Sequence, residues 1–268
     1  MKIYEPELPP SSKYPLILLG HRVLLSMRGA GRALLLWAEA LFYSIVHFKK
    51  RRREIGRQMM ISGVKSIGVV SIVAFFTGMI LCLQTGIILL DYGQEVNVGT
   101  VVTLTLCREM GPFVTALIVA ASVGSSMAAE IGTMAVSEEI SALHVMSVNP
   151  ASYLISPRLA ALLFMVPALT IYANALGVLG GMIVAKTQLG VEFDAYYRNA
   201  LSQVGHKDMY VGILKAVVFG QIITMVSCYQ GVVTTNGAIG VGRAARRSVV
   251  VCFLFVLVTG YFITRMFY

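Results

Sequence analysis

Residues 66–90 read SIGVVSIVAFFTGMILCLQTGIILL, a stretch without a single Asp, Glu, Lys, Arg or His. The hydrocarbon core of a bilayer is about 30 Å thick, and a helix needs roughly 20 apolar residues to cross it. The stretch is therefore long and apolar enough to form a transmembrane helix. Further apolar runs follow at about 113–129, 159–185, 209–233 and 248–267.

The composition of the whole chain is also typical of a membrane protein. Of its 268 residues, 57% are hydrophobic and only 13% are charged, whereas soluble domains contain about 25% charged residues. The strand-like alternation that a transmembrane barrel requires is not visible. The sequence thus predicts an all-α integral membrane protein with five transmembrane helices.

The net charge of +9 is concentrated beside the apolar runs. Residues 49–53 read KKRRR and directly precede the first run, and the segment 234–247 contains three arginines. Such clusters remain on the cytoplasmic side and contact anionic lipid, so we expect no nucleic-acid partner. The intervening loop 91–97, DYGQEVN, contains no basic residue. These charges predict a cytoplasmic N-terminus and a periplasmic C-terminus.

The N-terminal region differs from the rest of the chain. Residues 1–15 are rich in proline and serine and are predicted to form a disordered tail. Residues 16–58 are predicted to form an interfacial amphipathic helix and a basic linker, because the apolar part at 33–48 is short and contains Glu39. A sixth span is the alternative. Residues 59–268 then form the five-span domain.

Motifs for catalysis or metal binding are missing from the sequence. There is no GxxxxGK[ST] loop that could hold ATP, and the four histidines do not have the spacing of metal ligands. Gly240, Gly242 and Ala245 mimic a dinucleotide-binding motif, but no βαβ pattern surrounds them. We therefore expect a chain that is not an enzyme and that holds no metal or cofactor of its own.

The second apolar region is unusually long. It runs from 98 to 129, about 48 Å as a helix, which is too long to cross a bilayer upright. Pro112 is predicted to break or kink it into an outer limb, 98–111, and an inner limb, 113–129. The inner limb has a small residue at every fourth position, which predicts close helix packing, either static or as a sliding seam. These residues are Ala116, Ala120, Gly124, Ala128 and Gly132.

Arg108 and Glu109 lie in the outer limb. Ionisable residues within a membrane are costly and are usually functional. Neighbours in sequence point about 100° apart on a helix, so we expect separate partners: a lipid phosphate for Arg108, and a basic or polar group of another helix for Glu109. A purely structural contact near the interface is the alternative. Lys215, in the fourth run, is expected to extend towards the interface.

A short amphipathic helix is predicted between the second and third spans, from Ser137 to Val148. Ser137 can cap it, and Glu138 and Glu139 in its first turn are favourable near the positive end of the helix dipole. The helix is too short to cross the membrane, so it is either a connector or an element that docks into a groove on a soluble partner. Its apolar face consists of Ile140, Leu143 and Met146.

Three segments resemble a known family. The segment LTLCREMGPFVTALIVAASVGSSMAAEIGTMAVSEEISALHVMSVNPASYLISPR, residues 104–158, strongly resembles the characteristic region of the MlaE/YrbE permease family. FTGMILCLQTG (76–86) is similar to the first span of that family. CYQG (228–231) and GAIGVGRAARRSVV (237–250) are similar to its last cytoplasmic loop and final span. The resemblance covers roughly residues 50–268.

The resemblance implies a function and a set of partners. It implies the permease subunit of an ABC transporter that moves phospholipids or related lipids between the inner and outer membranes. A separate cytoplasmic ATPase would bind ATP and Mg²⁺, and a second copy of the chain, a periplasmic MCE-domain protein and in some systems a STAS-domain subunit would complete the complex.

The resemblance also assigns residues. It implies that the helix EEISALHVM is the cytoplasmic coupling helix, in which Glu138, Glu139, Ile140, Leu143 and Met146 contact the ATPase. It implies that a lipid cavity is lined by Arg108, Glu109, Gln84 and Pro112.

Two other functions agree with the bare pattern of spans. An ion-coupled secondary transporter usually contains inverted repeats, and no internal repeat is visible here. A non-transporting membrane anchor would have no need of the pair Arg108–Glu109 within the membrane.

Overall fold

The computed structural model describes residues 15–46, 51–202 and 204–268, and every regular element in these ranges is helical. Apart from Pro15, the predicted disordered tail lies outside the described residues, as do Lys49 and Lys50 of the basic cluster. The α-helices are α1 (Pro15–Val46), α2 (Arg52–Ser62), α3 (Ile67–Asp91), α4 (Val98–Thr105), α5 (Gly111–Val119), α6 (Ser125–Val136), α7 (Glu139–Val145), α8 (Ser156–Leu189), α9 (Phe193–Ser202), α10 (His206–Val232) and α11 (Gly237–Phe267).

Five helical segments in the described residues are long and apolar enough to cross a membrane, which confirms the predicted fold class. The helix α1 is not among them. We number these segments span 1 (Arg52–Asp91), span 2 (Glu95–Val136), span 3 (Ala151–Leu189), span 4 (His206–Val232) and span 5 (Gly237–Phe267).

The short helices α7 and α9 mark the two ends of the bundle. Successive spans run in opposite directions, so the connections between them alternate between the ends. Helix α7 joins spans 2 and 3, whereas α9 joins spans 3 and 4 and packs against α4. We refer to these as the α7 end and the α9 end.

Span 2 is helical throughout and continues through Pro112, so the chain does not break there, and the alternative of a kink stays a prediction. A π-helical turn, Leu106–Met110, directly precedes the proline, and the Gly111 N–H donates to the carbonyl of Leu106, five residues back. A wide turn of this kind accommodates a residue without an N–H inside a helix. A second π-helical turn, Ala120–Gly124, lies further along the same span.

The five small residues that recur at every fourth position of span 2 are all buried. A Cβ atom added at Gly124 would lie 2.9 Å from Ser227 Oγ on α10, and one added at Gly132 would lie 3.1 Å from Thr234 Oγ1. The stripe thus lets α10 approach the backbone of span 2. A sliding seam stays a prediction. Its members are Ala116, Ala120, Gly124, Ala128 and Gly132.

All five spans contribute to the largest apolar core. Span 4 is central to it, because α10 packs against α5, α6, α8 and α11. Representative buried side chains are Val119, Leu162, Val166, Phe219 and Ile223.

Helix α1 is longer than the predicted stretch 33–48 and continues without a break from Pro15 to Val46. Ala33 and Ala40 are buried against the rest of the chain, whereas Leu35 and Ile45 are more than 70% exposed. This two-sided pattern is typical of a helix at a membrane surface. Its placement there stays a prediction.

The contact between α3 and α8 depends on glycine. A Cβ atom at Gly78 would lie 1.9 Å from the carbonyl oxygen of Gly177, so the two backbones touch. Gly78→Ala should force the helices apart and lower the midpoint of thermal unfolding in detergent, by a change of about 1–3 kcal/mol in the free energy of unfolding.

Gly68→Ala is the matched control, because Gly68 lies on the same helix and nothing lies within 4 Å of the added Cβ. This substitution should leave the midpoint unchanged or raise it slightly. Equal midpoints for the two variants would contradict the close contact.

Candidate functional site

Charged side chains meet inside the bundle near its α9 end. Arg108 and Glu109 come from span 2, and Asp208 and Lys215 come from span 4. The two helices pair them into two ion pairs, Arg108 with Asp208 and Glu109 with Lys215. Because each pair is neutral, the cluster adds no net charge to the membrane interior.

Lys215 is buried, with 1% of its side chain exposed. Its Nζ lies 2.6 Å from Glu109 Oε1, 2.7 Å from Thr264 Oγ1 on α11 and 2.9 Å from the carbonyl oxygen of Arg108. These contacts use all three donors of the ammonium group. The expectation that Lys215 extends towards the interface is therefore wrong, and the side chain instead joins spans 2, 4 and 5.

Pro112 explains the third of these contacts. In a regular helix the N–H of residue 112 would donate to the carbonyl of Arg108, but proline has no N–H. A bare carbonyl in an apolar interior is costly. Lys215 supplies the missing donor from another span.

Thr264 completes this part of the cluster. Its hydroxyl lies 2.7 Å from Glu109 Oε1 and 2.9 Å from the carbonyl oxygen of Gly260. Glu109 therefore has the basic and polar partners that were expected of it on other helices.

Asp208 organises the second ion pair. Arg108 Nε lies 2.6 Å from Asp208 Oδ1, and the phenol of Tyr268 donates to the same oxygen. The N–H of Gly205 donates to Oδ2 at 3.1 Å, so this carboxylate also caps the start of α10.

Tyr268 covers this pair from the end of span 5. The guanidinium of Arg108 lies 4.6 Å from the centre of the tyrosine ring, within cation–π range. Burial, followed by the hydrogen bond to Asp208, raises the pKa of Tyr268 to about 12. The phenol therefore remains protonated at neutral pH and can donate to the carboxylate.

A cavity of about 350 Å³ opens beside the pair Lys215–Glu109. Its walls are otherwise mostly apolar. A cavity with apolar walls and a few convergent polar groups suits a ligand with one polar end and an apolar body. The apolar walls come from Met110, Phe113, Phe219, Val256, Leu257 and Tyr261.

Of the residues predicted for the cavity, Glu109 lines it, and its side chain is 41% exposed. Arg108, 38% exposed, is adjacent in sequence but is not part of the cavity wall. Pro112 is buried just after the turn that carries both charges and does not line the cavity. Gln84 is exposed on α3 and does not line this cavity.

The structure adds residues that the sequence did not identify as part of the site. Asp208 lies 100 residues from its partner Arg108, and Thr264 lies 155 residues from its partner Glu109. Tyr268 lies 60 residues from Asp208. No local pattern pairs residues so far apart. The one available signal is Asp208 three residues after Gly205, a spacing found where side chains cap helices.

Helix α7 is shorter than predicted. It contains only Glu139–Val145, and Ser137 does not cap it. The Ser137 hydroxyl instead donates to the carbonyl of Thr133 at 2.8 Å, at the end of α6. Glu138 then adopts a left-handed backbone conformation with φ +61°, so α6 and α7 are joined by a tight turn.

The predicted apolar face of α7 lines a single cavity. Ile140, Leu143 and Met146 surround a cavity of about 260 Å³ together with residues of span 3. Ile140 and Leu143 are half-buried, whereas Met146 is 63% exposed and its neighbour Val145 is 87% exposed. The most exposed apolar surface of this helix is therefore its end.

Five spans around a buried charged cluster and an apolar cavity define a multi-pass membrane protein of the transporter class. Residues 55–266 match the family model described as Permease MlaE. The chain is 39% identical over 212 residues to a probable ABC transporter permease protein of Rickettsia prowazekii. This alignment covers 79% of this chain and 82% of the Rickettsia protein.

Two further relatives cover nearly the whole chain. It is 33% identical over 254 residues to the intermembrane phospholipid transport system permease protein MlaE of Haemophilus influenzae, covering 93% of this chain and 96% of that protein. A probable ABC transporter permease protein of Synechocystis is 32% identical over 250 residues, and the alignment covers 90% of this chain and 95% of that protein. The chain belongs to the MlaE permease family, as the resemblance predicted.

Lys215 is buried more deeply than Glu109, so removing one partner should cost a different amount of stability from removing the other. Glu109→Gln leaves the buried ammonium without an anion and should lower the free energy of unfolding by about 3–5 kcal/mol. Lys215→Gln should cost less, because the carboxylate left behind is 41% exposed. Thermal unfolding of the purified protein in detergent measures both.

The double variant Glu109→Met with Lys215→Met is the control, because it removes both charges together. It should recover much of the loss. If the three variants unfold at the wild-type midpoint, the ion pair does not hold the spans together.

Proposed function

We propose that this chain is the permease subunit of an ABC transporter that moves phospholipids, or related lipids, between the inner and outer membranes. A separate cytoplasmic ATPase would supply the energy. The observation that carries the proposal is the apolar cavity with the charged cluster at its rim, inside a chain of the MlaE permease family. The name of the Haemophilus relative supports phospholipid as the substrate.

The geometry suggests how a lipid would bind. Acyl chains fit the apolar walls, and the polar head group would lie near the ion pairs. Within the described part of the chain, Asp208 is the hydrogen-bond partner of Arg108, through Nε alone. The two terminal nitrogens of the guanidinium can therefore donate to a phosphate in the bidentate geometry that arginine favours.

The charges of the chain support an orientation in the inner membrane. The described part of the basic cluster, Arg51–Arg53, lies at the start of span 1, and Arg243, Arg246 and Arg247 lie near the start of span 5, both at or near the α7 end. Basic residues favour the cytoplasmic side, so the α7 end would face the cytoplasm and the C-terminus the periplasm. In this orientation α7 would lie on the side of the ATPase, and the lipid cavity would lie near the periplasmic side.

The remaining partners are proposed from the resemblance to the family. The permease would act as a homodimer together with a periplasmic MCE-domain protein, and in some systems a STAS-domain subunit. The ATPase would bind ATP and Mg²⁺. An ion-coupled transporter and a passive anchor are not favoured, because the relatives are named as ABC transporter permeases.

A charge swap separates lipid binding from structural pairing at Arg108. Arg108→Asp alone should abolish lipid transport and destabilise the protein, because two carboxylates would then face each other. The swap Arg108→Asp with Asp208→Arg should restore much of the stability. It should not restore transport, because the guanidinium would no longer lie on span 2 next to Glu109, which lines the cavity.

Transport of a fluorescent phospholipid by the reconstituted complex and thermal unfolding provide the two measurements. Arg108→Lys is the conservative control, expected to transport at an intermediate rate because it retains the charge but loses the bidentate fork. Full transport by the swapped protein would show that Arg108 has only a structural role.

The end of α7 is the proposed contact with the ATPase. Val145→Asp should weaken capture of the ATPase by the solubilised permease, since a buried apolar anchor at an interface typically contributes more than about 1 kcal/mol. Because Val145 is 87% exposed in the isolated chain, the fold should remain intact.

Ile239→Asp is the matched control. Ile239 is also exposed, 74%, at the same end of the bundle, but it lies at the start of α11 near the arginines. Normal capture by Val145→Asp together with loss in Ile239→Asp would move the coupling surface to α11.

A further inference from the structure

A second, polar cavity lies at the α7 end, far from the cluster around Lys215. Its volume is about 660 Å³, and its walls come from α2, the end of α6 and the start of span 3. Among its charged side chains, α2 and the residue before it contribute Arg51, Glu54 and Arg57. We refer to this cavity as the basic pocket.

The charges of the basic pocket leave one positive charge in excess. Arg158, only 4% exposed, forms an ion pair with Glu130 at 2.9 Å, and these two charges cancel. Arg51 and Arg57 then face the single carboxylate of Glu54. The excess charge suits a ligand that carries one negative charge.

Arg51 is held in place without using all its donors. Its Nη1 donates to the carbonyl of Ser152 at 2.6 Å, and its guanidinium lies 5.4 Å from the centre of the Tyr153 ring. Arg57 is exposed and makes no hydrogen bond within the described part of the chain. Guanidinium groups with free N–H donors are suited to phosphate.

The basic pocket lies where a basic helix meets an apolar one, an arrangement that suits the depth of lipid head groups. One side is formed by the basic helix α2, and the helix that follows, α3, exposes apolar side chains such as Val69 and Ile72 to the surrounding lipid. The pocket itself has apolar walls at Ile61, Leu154 and Pro157. Charged and apolar side chains are therefore adjacent in the pocket, as the charged head group and the apolar acyl chains are in a phospholipid.

We propose that the basic pocket binds the phosphodiester group of a glycerophospholipid from the leaflet on the α7 side. Arg51 and Arg57 hold the phosphate, and the apolar walls contact the glycerol and the first part of the acyl chains. Basic pockets between membrane helices bind lipid head groups in this way. This site is separate from the transport cavity at the α9 end, and the inference does not depend on the proposed function.

The basic pocket has a wall in common with the cavity beneath α7. It shares Met134, Tyr153 and Leu154 with the smaller cavity beneath α7. A bound lipid would therefore press on the same wall against which α7 packs.

Native mass spectrometry tests the proposal. The full chain is delipidated in detergent and titrated with phosphatidylglycerol, and the lipid-bound fraction is measured. Each arginine near a membrane surface contributes roughly a fivefold change in affinity. We expect Arg57→Gln to weaken binding about fivefold and Arg51→Gln with Arg57→Gln to weaken it about twenty-fold or more.

The adjacent arginines provide a control of identical charge. Arg52 and Arg53 are exposed on the same helix but do not line the basic pocket. Arg52→Gln with Arg53→Gln should leave phosphatidylglycerol binding within about twofold of wild type, a small change on the scale of one phosphate contact. Equal losses in the two double variants would mean diffuse attraction to the basic cluster and would overturn the site.

Two further outcomes would also overturn it. If inorganic phosphate displaces phosphatidylglycerol from the chain, the pocket selects a small anion rather than a lipid. If Arg57→Gln binds phosphatidylglycerol like the wild type but no longer captures the ATPase, the pocket is part of a protein interface. Because Arg57 makes no structural hydrogen bond, loss of folding should not obscure the result, and Arg57→Lys should retain most of the binding.

Discussion

A lysine buried among apolar helices constrains the rest of this structure. The ammonium group of Lys215 is 1% exposed, and an isolated charge in such a place costs several kcal/mol. The chain meets this cost with a carboxylate from Glu109, a hydroxyl from Thr264 and a carbonyl that Pro112 leaves without its helical donor. Spans 2, 4 and 5 must therefore meet at one point. The cavity beside that point is lined by the same groups, Glu109, Lys215 and Thr264.

The sequence was sufficient to predict the membrane class and the five spans, because hydrophobicity over about 20 residues is a local property. It also drew attention to Arg108 and Glu109, since charges in apolar runs are conspicuous. It did not reveal the partners, because Asp208 and Lys215 lie about 100 residues away and resemble ordinary residues near a helix end. Pairings across spans are set by packing, which a single sequence does not display.

Errors near helix ends had local causes. Pro112 predicts a break or a kink in span 2, but a π-helical turn before it keeps the helix unbroken. Ser137 has the chemistry of a cap, yet its hydroxyl bonds to the preceding helix and Glu138 forms the turn. Such choices between nearby hydrogen-bond partners differ by about 1 kcal/mol and are decided by tertiary contacts. The result matters for the proposed coupling, because Val145 and Met146 at the end of α7 are exposed.

The central claim is that a phospholipid occupies the cavity beside the charged cluster. Photolabelling tests it most directly: the reconstituted complex is irradiated with a phospholipid that carries a diazirine in its acyl chain, and the adducts are mapped by mass spectrometry. The account predicts adducts on cavity residues such as Phe113, Phe219 and Tyr261, and fewer of them when unlabelled phospholipid competes. Adducts confined to residues that face the bilayer, such as Ile72 and Leu254, with none in the cavity, would contradict it.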